Sequence, residues 1–455
     1  MEPLDGLPLR ERRLAVVTIA LCVIMAVLDG SIANIALPTI AAELGTTPAS
    51  SVWVVNAFQL AVMVSLLPMS ALGDSHGYRR VFSAGLALFT AASLACALSR
   101  TLPQLVGARV FQGFGAAGIM SVNAAMIRYI YPRSQLGRGI GINALVVAIS
   151  SAAGPSIAAG VLSVANWPWL FAINVPLGAV ALSLMRHLPL TPMSGRPFDA
   201  RSAALNAVTL GLLIGGVEGF AHGESRALAL GQLALFLAVG AFYLRTQLRM
   251  PHPMLPVDLF RRPVFALSVA TSISCYIAQT LAFVSLPFLF EEGSGMSQIE
   301  TGLLITPWPL AVVVMAPISG RLSDRVSAGL LGGIGLAGLT AGLLLIAALP
   351  LHAASWNLAW RMALCGAGFG LFQTPNNRLL LSSAPRERSG AGSGMLSSAR
   401  LLGQTIGAAL VSAVFGITAA SGGDVGQGAI AALTLAAGFS VVAAVVSSLR
   451  LVRVA

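Results

Sequence analysis

The sequence predicts an all-α membrane protein that crosses the bilayer about fourteen times, and two observations support this class. Of the 455 residues, 56% are hydrophobic and 9% are charged, and the mean hydropathy is +0.84. The apolar residues are gathered into long segments separated by short polar loops. A soluble domain carries roughly 25% charged residues. This composition therefore excludes a soluble enzyme, a disordered chain and a nucleic-acid-binding protein with a solvated basic face.

Each predicted span is an apolar stretch of about 20 residues, the length that a helix needs to cross ~30 Å of hydrocarbon. Helices are expected because lipid leaves unpaired backbone groups without partners. The first span is interpreted as retained rather than as a signal peptide, because no small-residue cleavage site follows it. The candidate spans are 14–37, 50–72, 81–99, 103–127, 139–163, 170–188, 202–221, 227–246, 264–290, 299–319, 329–350, 357–381, 391–417 and 427–448.

The arginines indicate which side of the membrane each loop faces. All 27 basic residues are Arg, and the formal net charge is +11. Most of the loop arginines lie in the N-terminal tail and in every second loop, whereas the intervening loops hold only Arg100 and Arg226. Cytoplasmic loops accumulate Arg. We therefore expect a multi-pass chain with both termini in the cytoplasm, which an even number of spans allows.

A repeat divides the chain into two related halves. Asp74 and Asp324 each end a span with similar flanking residues, and they lie 250 positions apart. Pro38 and Pro287 close long spans at an offset of 249 positions. Parallel repeats of this kind are common in transporters. The predicted organisation is an N-terminal six-helix bundle over 1–190, a two-helix insertion over 191–250 and a C-terminal six-helix bundle over 251–455.

Five short motifs in the first half carry a family resemblance. They are LDGSIANIALP at 28–38, LGDSHGYRR at 72–80, RVFQGFGAA at 109–117, GPSIAAG at 154–160 and WPWLFAINVP at 167–176. Together they resemble the major facilitator superfamily, and specifically its fourteen-span drug/proton antiporter branch. The resemblance implies a major facilitator fold, with two six-helix bundles plus two additional central spans. It also implies multidrug efflux across the bacterial cytoplasmic (inner) membrane and a role in antibiotic resistance.

Asp29 is the most informative residue of the first span, because an acid inside a membrane is expensive and is a functional candidate by default. At 1.5 Å per residue it lies about 22 Å from the cytoplasmic end, and Arg109 of the fourth span lies about 9 Å below the outer face, so both share a similar depth. Burial favours the neutral carboxyl, whereas a nearby guanidinium favours the carboxylate. The resemblance implies proton coupling for both residues. The alternative is a static ion pair joining spans 1 and 4.

Charged residues at cytoplasmic span ends are candidates for a gate. Asp74 is close in sequence to Arg79 and Arg80, and Asp324 is followed by Arg325. The resemblance implies that such clusters latch the outward-facing state by pairing across the two halves. Breaking a few exposed pairs costs little for each pair, which suits a reversible gate. The alternative is ordinary topology charge together with helix-end capping.

The fifth span carries the pair Gly154 and Pro155. Proline removes a backbone hydrogen bond and permits a kink in the helix. The resemblance implies that this bend seals the protein against proton leak during antiport. The alternative is that the two residues serve only close packing.

Polar and aromatic residues inside the spans are candidates for a substrate cavity, although each alone could equally make a helix–helix contact. Wide apolar pockets with few polar groups suit lipophilic ligands. The candidates are Asn34, Trp53, Asn56, Gln59, Gln112, Asn123, Tyr276, Gln279, Trp308, Gln373, Asn376 and Asn377. Every His lies in a loop or at a span end, and the four Cys lack the spacing of a metal site. No metal and no cofactor beyond the proton gradient is expected.

The sequence thus leads to a proton-coupled exporter of small lipophilic, often cationic, compounds that works by alternating access. Its expected partners are the lipid bilayer, a small-molecule substrate and protons, without nucleic acid, and a monomer is expected. One alternative is the export of a single endogenous metabolite. An intramembrane enzyme or a receptor is disfavoured, because the chain has no HExxH pair, no nucleophile elbow and no appended soluble domain.

Overall fold

The structure is a computed structural model that describes residues 6–46, 48–51, 53–191, 193, 195, 197–221, 226–250, 253–296, 298–349, 354–385 and 388–453. Regular secondary structure in this part of the chain is helical throughout. Every predicted span overlaps a helix, and the all-α prediction is confirmed. The helices of the first half are α1 (Leu9–Glu43), α2 (Pro48–Ser51), α3 (Trp53–His76), α4 (Tyr78–Leu98), α5 (Leu102–Ile130), α6 (Leu136–Leu162), α7 (Pro168–Ala172) and α8 (Asn174–Leu184).

Two helices connect the halves, and seven helices form the second half. The connecting helices are α9 (Ala200–Ala221) and α10 (Arg226–Arg249). The second half comprises α11 (Pro263–Phe288), α12 (Gln298–Ile305), α13 (Pro307–Leu322), α14 (Ala328–Ala347), α15 (Ser355–Ser383), α16 (Ser389–Ala420) and α17 (Val425–Arg453). Within the described residues, eleven helical segments are long and apolar enough to cross a membrane. The other three long helices, α6, α9 and α15, complete a set of fourteen.

Paired glycines show the internal repeat in the packing. A Cβ added to Gly118 would lie 2.8 Å from the Cα of Gly85, and a Cβ added to Gly368 would clash with the carbonyl oxygen of Gly335. Both members of the second pair lie 250 positions after their counterparts. Small residues let membrane helices approach closely. The third and fourth spans of each half therefore cross at the same place.

The two connecting helices lie beside the first half rather than within its core. α9 and α10 pack on each other, and α9 also contacts α3 and α16. The Asn206 side chain of α9 donates a hydrogen bond of 2.9 Å to the carbonyl oxygen of Val64 in α3. Most of the α10 surface is uncovered by protein. This arrangement leaves the seam between the two halves to α3, α5 and α6 on one side and to α13, α15 and α16 on the other.

Candidate functional site

Asp29 of α1 and Arg109 of α5 form a buried ion pair. Asp29 is 2% exposed and Arg109 is fully buried. The two charges, which the sequence places at a similar depth, are therefore in direct contact, and neither is open to solvent in this conformation. A buried pair is tolerated when further hydrogen bonds satisfy its remaining donors and acceptors.

Two amides complete the surroundings of the carboxylate. Gln112, one turn further along α5, donates to Asp29 Oδ1 at 2.8 Å and accepts from Arg109 Nη1 at 2.7 Å. Asn174 at the start of α8 donates to the same carboxylate oxygen at 3.0 Å. Ser93 of α4 accepts from the Gln112 amide at 2.9 Å. Residues from α1, α4, α5 and α8 thus belong to one polar network.

The guanidinium is held by backbone and aromatic groups. Arg109 Nε donates to the carbonyl oxygen of Val54 at 2.9 Å. The Arg109 Cζ atom lies 4.2 Å from the ring centroid of Phe58 and 5.4 Å from that of Phe171, within the range of cation–π attraction. Its Nη2 atom is buried and has no hydrogen-bond partner among the described residues. Protonation of Asp29 would remove the one carboxylate that balances this cation.

Contacts between the halves close the end of the bundle at which α1 begins and α17 ends. Asp74 of α3 accepts the backbone N–H groups of Gly390 at 3.0 Å and of Ala391 at 3.2 Å, and the Tyr78 hydroxyl at 2.5 Å. The first N–H groups of a helix have no partner within it, and the N-terminus of a helix favours negative charge. Asp74 thus fastens the start of α16 to the first half.

Arg128 of α5 makes the complementary contact. It donates to the carbonyl oxygens of Leu381 at 3.0 Å and Ala384 at 2.8 Å, and to the Ser389 hydroxyl at 3.0 Å. Those carbonyls end α15, where a cation is favoured. In the sequence, Arg128 is one of the loop arginines that indicate the cytoplasmic side, and nothing there marks it as a contact between the halves. The signal that could have singled it out was its place at the end of the fourth span, opposite the repeated half.

The expected pairing of charges across the halves has different partners in the structure. Asp324 pairs with Arg378 of its own half at 3.0 Å, and Arg80 contacts the Met193 sulfur at 3.4 Å. Arg325 is exposed, and Arg79 is half-buried without an ion pair to Asp74 among the described residues. The physical reason is that helix ends offer Asp74 and Arg128 partners that need no second charged side chain.

A glycine-rich contact joins α6 to α13 at the same end. A Cβ on Gly137 would lie 2.5 Å from the Ser323 hydroxyl oxygen and 2.6 Å from the carbonyl oxygen of Gly320. A Cβ on Gly141 would lie 2.8 Å from the carbonyl oxygen of Ala316. α6 continues as one helix through the buried Gly154, whereas the Pro155 side chain lies outside the described side chains. The closest approach of α6 to the second half is therefore at its first turns.

A cavity of about 350 Å³, called the central cavity below, lies where α6 meets the second half. Four of the predicted cavity residues line it: Tyr276, Gln279, Trp308 and Gln373. The other lining residues are Ala144, Val147, Ala148, Ser151, Thr280, Phe283, Pro309, Val312, Phe369, Arg400 and Gln404. Arg400 was missed by the sequence reasoning, although an ionisable residue inside the predicted span 391–417 is the same signal that identified Asp29.

The remaining predicted cavity residues lie elsewhere. Asn123 donates to Asn143 at 3.0 Å, and Asn376 donates to the Ser272 hydroxyl at 2.7 Å. These two amides join helices of the same half. Gln112 belongs to the Asp29 network described above. Trp53 and Gln59 are exposed, and Asn56 and Asn377 are half-buried without a place in the cavity lining. The Asn34 side chain lies outside the described side chains.

A second, larger cavity of about 880 Å³ lies at the same end of the bundle as the contacts of Asp74 and Arg128. Its lining includes Arg128, Arg133, Arg378 and Arg450. Among the described residues, no group of three or more His, Cys, Asp or Glu side chains could hold a metal ion. The linings of the two cavities combine arginines with amide and aromatic side chains.

Comparisons with known proteins fit this architecture. The sequence profile described as Major Facilitator Superfamily matches residues 19–408. The chain is 55% identical over 454 residues to the "Uncharacterized transporter YebQ" of Escherichia coli K12, covering 99% of this chain and 98% of YebQ. It is 30% identical to the "Riboflavin transporter RibZ" of Clostridioides difficile, covering 90% of this chain and 89% of RibZ.

A further relative and a solved structure are also similar to this chain. The "Multidrug resistance protein Stp" of Mycobacterium tuberculosis is 30% identical, covering 89% of this chain and 76% of Stp. The crystal structure of the human organic anion transporter MFSD10 superposes with a TM-score of 0.70 at 16% identity, covering 97% of this chain and all of that one. At that identity the likeness concerns the fold alone. It confirms the fold class expected from the sequence motifs.

Proposed function

Because this chain belongs to the major facilitator superfamily, whose solved relatives are transporters rather than enzymes, we propose that it is a proton-coupled exporter of small lipophilic compounds. The two halves would rock about the seam to expose the central cavity to each side in turn. The membrane would be the bacterial inner membrane, with both chain termini in the cytoplasm. In that orientation, the conformation described above is closed toward the cytoplasm.

The observation that carries this proposal is the buried pair of Asp29 and Arg109. Asp29 is enclosed among α1, α5 and α8, where Arg109, Gln112 and Asn174 donate hydrogen bonds to its carboxylate. An acid in such a place is expensive to bury, so it is a functional candidate by default. We infer that Asp29 takes up a proton from the periplasmic side and loses it to the cytoplasm as the two halves change position.

Relatives support a small-molecule cargo but differ in its breadth. Stp is named a multidrug resistance protein and RibZ a riboflavin transporter, and both are 30% identical to this chain. The RibZ relationship favours the second candidate function, export of one endogenous metabolite. The described lining of the central cavity holds an arginine and no carboxylate, which disfavours the cationic compounds expected from the sequence.

Reconstitution into vesicles tests proton coupling. The full-length protein is inserted into liposomes loaded with a fluorescent lipophilic compound, and efflux is followed with and without an imposed pH gradient. Efflux that requires the gradient and stops when an uncoupler is added supports the proposal. Efflux of equal rate without a gradient contradicts it. Competition by a panel of unrelated compounds then separates a broad exporter from a metabolite exporter, in which one compound alone competes.

A further inference from the structure

Arg400 lines the central cavity, and no acid among the described residues forms an ion pair with it. The residue lies within α16, and its Nε atom is buried and has no hydrogen-bond partner among the described residues. A guanidinium stays charged in proteins, and Arg400 is half-buried rather than fully enclosed. Among the described lining residues of the cavity, Arg400 is the one charged side chain. The cavity therefore holds a cation that is not balanced by a lining acid.

Two more donors in the same lining lack an acceptor. Trp308 is 1% exposed, and its Nε1 atom has no partner among the described residues. Indole nitrogen can only donate. Tyr276 accepts a hydrogen bond of 2.9 Å from Gln373, which leaves its own hydroxyl hydrogen available to donate. Trp308 and Tyr276 thus place N–H and O–H donors in the cavity wall, and the described residues offer these donors no acceptor.

Aromatic rings form much of the remaining wall. Phe283 and Trp308 pack with their ring centroids 4.9 Å apart, and Tyr276 and Phe369 pack at 5.7 Å. Ligand sites of this size combine apolar and aromatic walls with a few placed polar groups. Flat apolar rings suit such walls, whereas the donors require a ligand with oxygen or nitrogen acceptors.

We propose that this cavity binds small aromatic anions, with a carboxylate or comparable acidic group on Arg400 and the ring system against the Trp308 and Tyr276 pairs. This assignment rests on the proposed export function and names its substrate class. The second cavity, lined by Arg128, Arg133, Arg378 and Arg450, would attract the same charge from the cytoplasm. Arginines are common on that side for reasons of topology, so Arg400 carries the assignment.

Binding of two dyes that share one ring skeleton tests the charge preference. Fluorescein is a xanthene anion, and rhodamine 123 is a xanthene cation of similar size. Fluorescence anisotropy with the purified full-length protein should show fluorescein bound about tenfold more tightly or better, the scale of one hydrogen-bonded charge contact. Equal affinity, or tighter binding of rhodamine 123, would overturn the assignment without any variant being made.

Substitution then locates the charge. Arg400→Gln should weaken fluorescein binding by about tenfold or more and should leave or improve rhodamine 123 binding, whereas Arg400→Lys should keep the order of the two dyes. The matched control is Arg361→Gln in the same half. Arg361 stacks on Trp360, with its Cζ 4.9 Å from the ring centroid, and it is not among the cavity lining residues. Unchanged fluorescein affinity in Arg400→Gln, or an equal loss in Arg361→Gln, contradicts the assignment.

The test separates this assignment from the proposed function. Dye binding is measured without a gradient, so its outcome does not depend on proton coupling. If efflux proves independent of protons while fluorescein binding still requires Arg400, proton coupling fails and the substrate class stands. If efflux follows the proton gradient but fluorescein binding ignores Arg400, the substrate class fails alone.

Discussion

The Asp74 carboxylate of the first half accepts the backbone N–H of Gly390 in the second half at 3.0 Å. Since Gly390 lies in the first turn of α16, the contact ties a carboxylate to the end of a helix. A helix terminus carries only partial charge. Opening this latch therefore leaves no full countercharge buried and unpaired, which suits a contact that breaks and forms again in the alternating-access cycle proposed above.

Loss of the Asp74 charge should favour the open form. Asp74→Asn keeps the shape but removes the carboxylate from the helix end, a change of about 0.3–1 kcal/mol. The measurement is maleimide labelling of a cysteine introduced at Ser397, which lies at the seam and contacts Met120 across it. The four native cysteines are buried and give a low background. We expect faster labelling in Asp74→Asn.

The control for the latch is Arg80→Gln. Arg80 is an exposed charge at the same end, and its guanidinium contacts Met193 rather than the second half. Its removal should leave Ser397 labelling unchanged. Identical labelling of Asp74→Asn and wild type would show that the carboxylate does not hold the two halves together.

Adding one methyl group at Gly137 should weaken the α6–α13 contact. The new Cβ would sit 2.6 Å from the carbonyl oxygen of Gly320, and overpacking of this kind costs typically 1–3 kcal/mol. Gly137→Ala should therefore speed labelling at Ser397 and reduce efflux. Gly160→Ala on the same helix is the matched control, because nothing lies within 4 Å of its new Cβ. Labelling that is the same in both variants would exclude the contact as part of the closure.

Exchange of one proton for a monovalent anion should respond strongly to membrane potential. Inward H⁺ and outward anion move two elementary charges in the same direction, so 100 mV, negative inside, contributes about 4.6 kcal/mol per cycle. A potassium diffusion potential imposed with valinomycin should drive export of 2-naphthoate from proteoliposomes without a pH gradient. Export insensitive to that potential would rule out electrogenic proton–anion exchange.

Several parts of the fold and site follow from sequence because they depend on isolated signals. Asp29 and Arg109 are charges in otherwise apolar spans, so their depth could be calculated from helical rise. Each apolar stretch predicted as a span overlaps a helix of the structure. Asn174 could not be assigned in this way, because its contact with Asp29 depends on how α8 packs against α1. A neutral amide in a span has many structural uses.

The gate shows a second limit of prediction from sequence. Charge patterns suggest side-chain pairs, but the partners of Asp74 and Arg128 are backbone groups at helix ends. Backbone groups are common to nearly all residues, so residue identity does not reveal which backbone group a side chain contacts. Arg400 is the opposite case, since its position within an apolar span was visible in the sequence. Only the cavity shows that it faces aromatic rings and lacks a lining acid.

Asp29 either carries protons during transport or only balances the charge of Arg109. Asp29→Asn alone leaves Arg109 buried without its anion, which typically costs 3–5 kcal/mol and would lower the thermal stability of the protein. Asp29→Asn combined with Arg109→Gln removes both charges and should recover much of that stability. This double variant therefore separates structural loss from loss of proton coupling.

The decisive measurement is efflux driven by a pH gradient in proteoliposomes that contain the folded double variant. Proton transfer through Asp29 predicts that the gradient no longer drives efflux, even though the protein is stable and still binds substrate. Gradient-driven efflux at the wild-type rate would contradict this account and would leave Asp29 and Arg109 as a structural ion pair.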